Sequence, residues 1–168
     1  MTLILGIETS CDETAASIVE DGCQVRSNYV ASQDELHIEY GGVVPEIASR
    51  AHVERILPAV EQAISQAGVS FQEIDAVAVG NRPGLIGSLL VGVAVAKSLA
   101  WSLQKPLIAV DHVIAHLWAP MLSGESVQYP ALGLIVSGGH TSIVLLQDPT
   151  TVRCISKTVD DAVGEAFD

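Results

Sequence analysis

An internal echo constrains this chain more than any other feature. Leu5-Gly6-Ile7-Glu8-Thr9-Ser10-Cys11-Asp12-Glu13-Thr14 returns as Leu132-Gly133-Leu134-Ile135-Val136-Ser137-Gly138-Gly139-His140-Thr141, with Leu, Gly, Ser and Thr in register. In each copy an apolar run ends in a small, polar turn and then resumes, as Ala15-Ala16-Ser17-Ile18-Val19 and as Ser142-Ile143-Val144-Leu145-Leu146. That is the pattern of a strand, a tight turn and a returning strand. A turn rich in Ser, Thr and Gly presents amides and hydroxyls to an anion, so two such hairpins facing each other predict a phosphate chain held between two related lobes. Two unrelated β-hairpins are the plainer alternative, because this turn chemistry is common.

The echo divides the chain into a first lobe over 1–129 and the opening of a second over 130–168. The residues from Leu132 onward fall well short of the ~100 of an ordinary domain, so the second lobe is expected to be incomplete here. Within the first lobe, 3–9, 14–20 and 24–31 read as a three-stranded meander. A Gly/Pro loop, Tyr40-Gly41-Gly42-Val43-Val44-Pro45, then opens a helix to about Ala67, with Pro45 suited to its first turn and Ile47, Val53, Ile56, Leu57, Val60 and Ile64 at helical spacing. Strand 74–80, helix 85–103, strand 107–110 and helix 112–122 follow. Strands alternating with apolar helices predict an α/β architecture with parallel strands.

The most apolar stretch, Gly84 to Leu103, is broken by Lys97 before it reaches the roughly 18 uncharged residues of a membrane span. A buried or interface helix is expected there, and no membrane association. The three cysteines, Cys11, Cys23 and Cys154, are odd in number and lack metal-ligand spacing, which suits a reducing cytoplasm better than a disulfide framework. A net charge of −12 repels a polyanion at long range.

Among residues that carry chemistry, His112 and His116 lie four apart in a helix that follows a strand, the spacing at which two imidazoles on one face share a metal. The competing reading makes one a helix cap and the other a core residue. Asp111 is a weak third ligand because an adjacent residue points elsewhere on the helix. A zinc-protease motif would need Glu directly after the first histidine, where Val113 stands. Ser137-Gly138-Gly139-His140-Thr141 is the better phosphate turn, its glycines letting amides approach an anion. Asp12 and Glu13 would repel phosphate and fit better as Mg²⁺ ligands or as contacts to a ribose or amine. Cys11 is a poor nucleophile, since Asp12 and Glu13 raise its pKa. His52, Arg50 and Arg82 read as surface or helix-capping groups as readily as ligand contacts.

Taken in order, Gly6 to Thr14, Tyr40 to Glu46, Pro83-Gly84-Leu85, His112 with His116, Ser137 to Thr141 and Gly164-Glu165-Ala166-Phe167-Asp168 resemble the TsaD family, formerly described as O-sialoglycoprotein endopeptidases. The resemblance runs the length of the chain. It implies the actin/sugar-kinase/Hsp70 fold, here the first lobe with the truncated start of the second. It also implies transfer of a threonylcarbamoyl group from threonylcarbamoyl-adenylate to the adenosine next to the anticodon of tRNA. His112 and His116 match the family's metal histidines; the implied cofactor is one divalent ion per subunit, iron or zinc, with Mg²⁺ as a companion of the nucleotide. Ile135, Val136, Ser137, Gly138 and Gly139 match the segment that contacts the adenylate, and Asp168 matches a further substrate contact. The family's third metal ligand, an aspartate, lies beyond residue 168.

Three positions depart from the pattern. Ile114 stands where the family usually has an acid, Asp111 where it has His or Asn, and Arg82 where Gly is common. Two rivals are a non-catalytic scaffold like the family's TsaB paralogue, which lacks the metal histidines, and a small-molecule kinase of the same superfamily, which carries Asp in the first turn. The acidic balance predicts that tRNA is held mainly by helper proteins or the second lobe. The helices Glu46 to Ala67 and Leu85 to Leu103 are then expected to pair with a TsaB-like protein or a second copy.

Overall fold

Strand β1 (Leu3–Glu8) points Leu3, Leu5 and Ile7 into the core in strict alternation, the period-two pattern of a strand with one well-packed face. β2 (Glu13–Glu20) returns antiparallel beside it and β3 (Gln24–Ser32) continues the meander. Behind β3 come a single helical turn, α1 (Asp34–His37), and a 3₁₀ turn at Ile38–Tyr40. Helix α2 (Pro45–Ala67) starts with proline at its first position and stops at Gly68, whose φ of 68° is the left-handed conformation that ends helices. β4 (Ala76–Arg82), α3 (Ile86–Leu103) and β5 (Leu107–Asp111) then add two strands parallel to β1, giving a sheet of order β3-β2-β1-β4-β5.

Helix α4 (His112–Trp118) and a 3₁₀ turn at Ala119–Ser123 lead to a second sheet of three antiparallel strands, β6 (Ala131–Val136), β7 (Thr141–Leu146) and β8 (Val152–Lys157), followed by α5 (Val163–Phe167). The computed structural model describes residues 1–124, 126–137 and 141–167. Its backbone falls into two units, Met1–Ile114 and Ala115–Asp168.

The echo in the sequence is an echo in the pairing. Leu5 faces Ile18 and Gly6 faces Ser17; their counterparts Leu132 and Gly133 face Leu145 and Val144, the residues that echo Ile18 and Ser17. Each meander also carries one register shift in its middle strand, at Ile18/Val19 and at Ile143/Val144. In the second unit Ile135, Val144, Leu146 and Ala162 form the buried set. Gly133 lets Leu117 approach, since a β-carbon there would lie 2.8 Å from its side chain.

The helices differ from expectation in which residues they bury. In α2 the alanines Ala48, Ala51, Ala59, Ala63 and Ala67 join Ile56, Val60 and Ile64 against the sheet, while Val53 and Leu57 are exposed. Small side chains draw the helix axis close to the strands and leave the larger ones to its flank. α3 behaves in the same way. It buries Ser88, Gly92, Ala96 and Ala100, and leaves Ile86, Leu90 and Trp101 outside.

Gly92 is the tightest of these contacts. A β-carbon there would lie 2.3 Å from Thr9 Oγ1, and Thr9 is fully buried with its hydroxyl donating to the Ser88 carbonyl at 2.8 Å. Gly92→Ala is therefore expected to destabilise the first unit by about 1–3 kcal/mol, the ordinary cost of overpacking, despite alanine's better helix propensity. Urea denaturation of the variant checks this; a gain in stability would show that Thr9 yields freely.

Candidate functional site

The parallel strands β1, β4 and β5 all end at the same edge of the first sheet, the edge at which open α/β sheets place their ligand sites. Glu8 closes β1, Arg82 closes β4, and Asp111 closes β5 just before His112. There His112 Nδ1 lies 3.2 Å from Glu8 Oε2 and 3.2 Å from Ser10 Oγ. The Ser10 amide and hydroxyl also donate to the Glu8 carboxylate. Burial alone would raise the Glu8 pKa, but the hydrogen bonds from His112 and Ser10 outweigh it and hold the carboxyl below its ordinary value. The same bond to Glu8 raises His112 above the usual imidazole value against the opposing effect of burial. Glu8 and His112 therefore form an ion pair when the imidazole is protonated.

Asp111 and Arg82 flank this pair. One Asp111 oxygen accepts from the Val113 and Ile114 amides at 3.0 and 3.1 Å, capping the start of α4, and the other lies 3.3 Å from Arg82 Nε. Arg82 is thus tied to a helix cap, and Asp111 has its carboxylate committed where a metal ligand had been a weak expectation. The two residues that depart from the family pattern at these positions partner one another.

Two glycines shape the pocket for Glu8 and Ser10. A β-carbon on Gly80 would come 2.3 Å from Glu8 Oε2, and one on Gly84 2.6 Å from the Ser10 carbonyl, which accepts from the Leu85 amide at 2.8 Å. Because the atom crowded at Gly80 is the end of a flexible side chain, Gly80→Ala is expected to move the Glu8 carboxylate rather than unfold the sheet. The expected signature is a His112 pKa that falls back toward 6.5 in an NMR titration with little change in unfolding midpoint. An unchanged titration would mean that Glu8 keeps its place.

Beneath the first turn lies a chain of polar groups that sequence reasoning did not connect. His52, read from sequence as a surface or capping group as readily as a ligand contact, is fully buried. Its Nε2 donates to the Cys11 carbonyl at 3.0 Å, which makes Nδ1 the acceptor for the Thr14 hydroxyl at 2.8 Å and for Gln33 Nε2 at 3.3 Å. Gln33 Oε1 in turn accepts from His37 Nε2 at 3.3 Å, and His37 Nδ1 accepts from the Val44 amide at 3.4 Å. The arrangement requires a neutral His52, and burial accordingly pushes the His52 pKa down. The signal in sequence was faint: polar residues at Thr14, Gln33, His37 and His52, far apart along the chain. Cys11 itself is a weak nucleophile, its thiol pushed up to about 11 by partial burial and then by Asp12, with Glu13 adding to the effect.

The remaining candidates sit in or after the first unit's last strand. His112 and His116 both lie on α4. Ile135 and Val136 end β6 and Ser137 follows, while Gly138, Gly139, His140 and Asp168 lie outside the described residues. Thr141, where the chain re-enters β7, accepts from the Thr158 amide at 2.7 Å through its carbonyl and from the Val163 amide at 2.8 Å through its hydroxyl.

The fold has close counterparts among solved structures. YeaZ from Pseudomonas aeruginosa superposes over 94% of this chain and 67% of its own, with a TM-score of 0.60 at 23% identity. The ROK hexokinase from Thermus thermophilus superposes over 92% of this chain and 48% of its own, with a TM-score of 0.53 at 21% identity. These likenesses show a fold of the actin/sugar-kinase/Hsp70 type. In sequence, the tRNA N6-adenosine threonylcarbamoyltransferase of Moorella thermoacetica is 58% identical over 167 residues, 99% of this chain and 49% of that protein. The enzyme of the same name from Syntrophomonas wolfei is 54% identical over the same share. The chain spans about half the length of the curated relatives it matches. The family model for TsaD, tRNA N6-adenosine threonylcarbamoyltransferase, matches residues 24–168, and the chain belongs to that family.

Proposed function

We propose that the protein transfers a threonylcarbamoyl group from threonylcarbamoyl-adenylate to the exocyclic amine of the adenosine beside the tRNA anticodon, and that this chain supplies the first lobe and the opening of the second. The observation that carries the reading is the Glu8–Ser10–His112 cluster, set at the ligand edge of the sheet in a chain of this family. A carboxylate on the Nδ1 of a histidine orients the ring as metal sites require, which fits His112, together with His116, as a holder of one divalent ion, iron or zinc. The family resemblance implies a third donor, an aspartate that it places beyond residue 168. When bound, the ion supplies Lewis-acid polarisation of the carbamoyl carbonyl.

The chain's own residues bind and orient. Glu8 and Ser10 hold the His112 ring, and Ile135, Val136, Ser137, Gly138, Gly139 and Asp168 take the adenylate. Asp12 and Glu13 offer carboxylates to a nucleotide-bound Mg²⁺ or to an amine. Val53 and Leu57 on α2, with Ile86 and Leu90 on α3, supply exposed apolar surface for a TsaB-like partner or a second copy. The likeness to YeaZ in fold also suits a scaffold role for this chain, and His112 with His116 weigh against it. A cytoplasmic setting is supported by the three cysteines, all exposed thiols.

The test is nucleoside mass spectrometry of tRNA incubated with the full-length protein, its pathway partners and the adenylate. Threonylcarbamoyladenosine is expected with the complete system. The 168-residue chain by itself is expected to yield none, because lost positioning costs up to ~10⁵ in rate. A complete system that leaves the tRNA unmodified overturns the reading.

A further inference from the structure

Three consecutive carbonyls of the first turn are each held by a donor from a different part of the chain. The Ser10 carbonyl accepts from the Leu85 amide at 2.8 Å, in the loop that opens α3. The Cys11 carbonyl accepts from His52 Nε2 at 3.0 Å, out of α2, and the Asp12 carbonyl from the Gln33 amide at 3.1 Å, just past β3. His52 and Gln33 are fully buried, whereas Cys11 and Glu13 are exposed. A trans peptide sets each C=O antiparallel to the N–H of the next residue, so carbonyls drawn into the protein turn the following amides outward. The Asp12 amide accordingly meets the Cys11 thiol, on the exposed side.

Stability alone does not account for such a network. Buried side chains that hydrogen-bond one another can be exchanged together for apolar groups of the same shape at nearly no cost in folding free energy, so what their polarity adds is direction. His52 is the member that aims at the turn. It reaches from α2 to Cys11, next to Ser10, whose hydroxyl lies 3.2 Å from His112 Nδ1 at the ligand edge of the sheet. Ser88 offers the Cys11 carbonyl only a 3.5 Å contact. His52 is buried while Val53 and Leu57 on the same helix are exposed, so a partner seated on that outer face leaves the bond in place.

We propose that His52 is a positioning residue for the transfer reaction: by holding the Cys11 carbonyl it fixes the peptide planes of the first turn, and with them the Ser10 hydroxyl and the Asp12 and Glu13 carboxylates. The inference rests on the reading of the protein as a threonylcarbamoyltransferase and adds to it a residue that touches neither substrate nor metal. Without that bond the turn is free to rotate about Cys11 and presents the same groups in several orientations. Misplacement by about 1 Å costs on the order of 10²-fold in rate.

The experiment uses the full-length protein with its partners and compares two substitutions that divide the imidazole. In His52→Gln an amide nitrogen takes the place of Nε2 and keeps the donor to Cys11, while the acceptor for Thr14 is lost. In His52→Asn an amide oxygen takes the place of Nδ1, and the donor to Cys11 is lost. Both are expected to lower the unfolding midpoint, and rates are measured at a temperature where both remain folded. Only His52→Asn is expected to lower kcat, about 10–100-fold at saturating tRNA and adenylate, with His52→Gln within about threefold of wild type. Ser27→Ala removes another buried bond between β3 and α2, from the Ser27 hydroxyl to the Ala63 carbonyl at 2.7 Å, and should lose stability while keeping its rate. A crystal structure of the His52→Asn protein should show the Cys11–Asp12 peptide turned from its wild-type plane, a readout that needs no activity. Equal rates in the two His52 variants, or a loss in Ser27→Ala equal to that in His52→Asn, assign His52 to stability alone and overturn the positioning role, as does an unmoved peptide. A wild-type system that leaves tRNA unmodified overturns the proposed activity instead, and the crystal structure then decides whether His52 holds the turn.

Discussion

Glu8→Gln in the full-length protein is expected to lower turnover about 10–100-fold while leaving the unfolding midpoint nearly unchanged, and His112→Ala to lower it on the order of 10²–10³-fold. Glutamine keeps the shape of Glu8 and a hydrogen bond from the Ser10 amide, but removes the charge that raises the His112 pKa and holds its Nδ1 proton. The ring then loses its fixed orientation before it loses its place. Steady-state kinetics with tRNA and adenylate checks the pair. If Glu8→Gln turns over as wild type does, Glu8 is a strand-end residue whose contact with His112 has no part in the chemistry. The Gly80→Ala substitution offers an independent route to the same displacement, since its β-carbon would occupy the carboxylate's position at 2.3 Å.

How much of this was legible in sequence follows from the range of the interactions. The hairpins at Leu5 and Leu132 were readable because alternation and turn chemistry are local, and the shared register of Leu5 with Ile18 and of Leu132 with Leu145 needs no more than the spacing of each turn. Helix α2 announced itself through Pro45 and its apolar period. Its buried face did not, because a count of large apolar residues picks Val53 and Leu57, whereas the packing that matters is the close approach allowed by Ala48, Ala59 and Ala63. His112 and His116 were visible through their spacing within one helix. The partner of His112 was not, since Glu8 lies at the end of another strand more than a hundred residues away, brought beside it only by the parallel order β1-β4-β5. Arg82 and Asp111 illustrate the same limit. Each looked like an isolated departure, and their contact makes them one feature.

The buried histidine chain carries the second large effect. His52→Leu is expected to destabilise the first unit by about 3 kcal/mol, because an apolar side chain of similar bulk leaves the Thr14 hydroxyl and the Gln33 amide without their acceptor in a fully buried place. The Cys11 carbonyl keeps only the long 3.5 Å contact from Ser88, so the first turn loosens as well. The same chain makes stability depend on pH with a definite sign. Burial lowers the His52 pKa in the folded protein, so between that value and the ordinary 6.5 the unfolded chain binds the extra proton. The contribution of His52 is therefore fully present above about pH 6.5 and is lost as pH falls toward the folded value. Protonation would also turn Nδ1 into a donor facing the Thr14 hydroxyl and the Gln33 amide, breaking the run of polarity back through Gln33 to His37 and Val44. Urea denaturation at pH 7.5 and at pH 5.5 is expected to show a loss of stability in wild type that is smaller in His52→Leu. An equal loss in both proteins would assign the pH dependence to other groups and leave the buried network with a packing role alone.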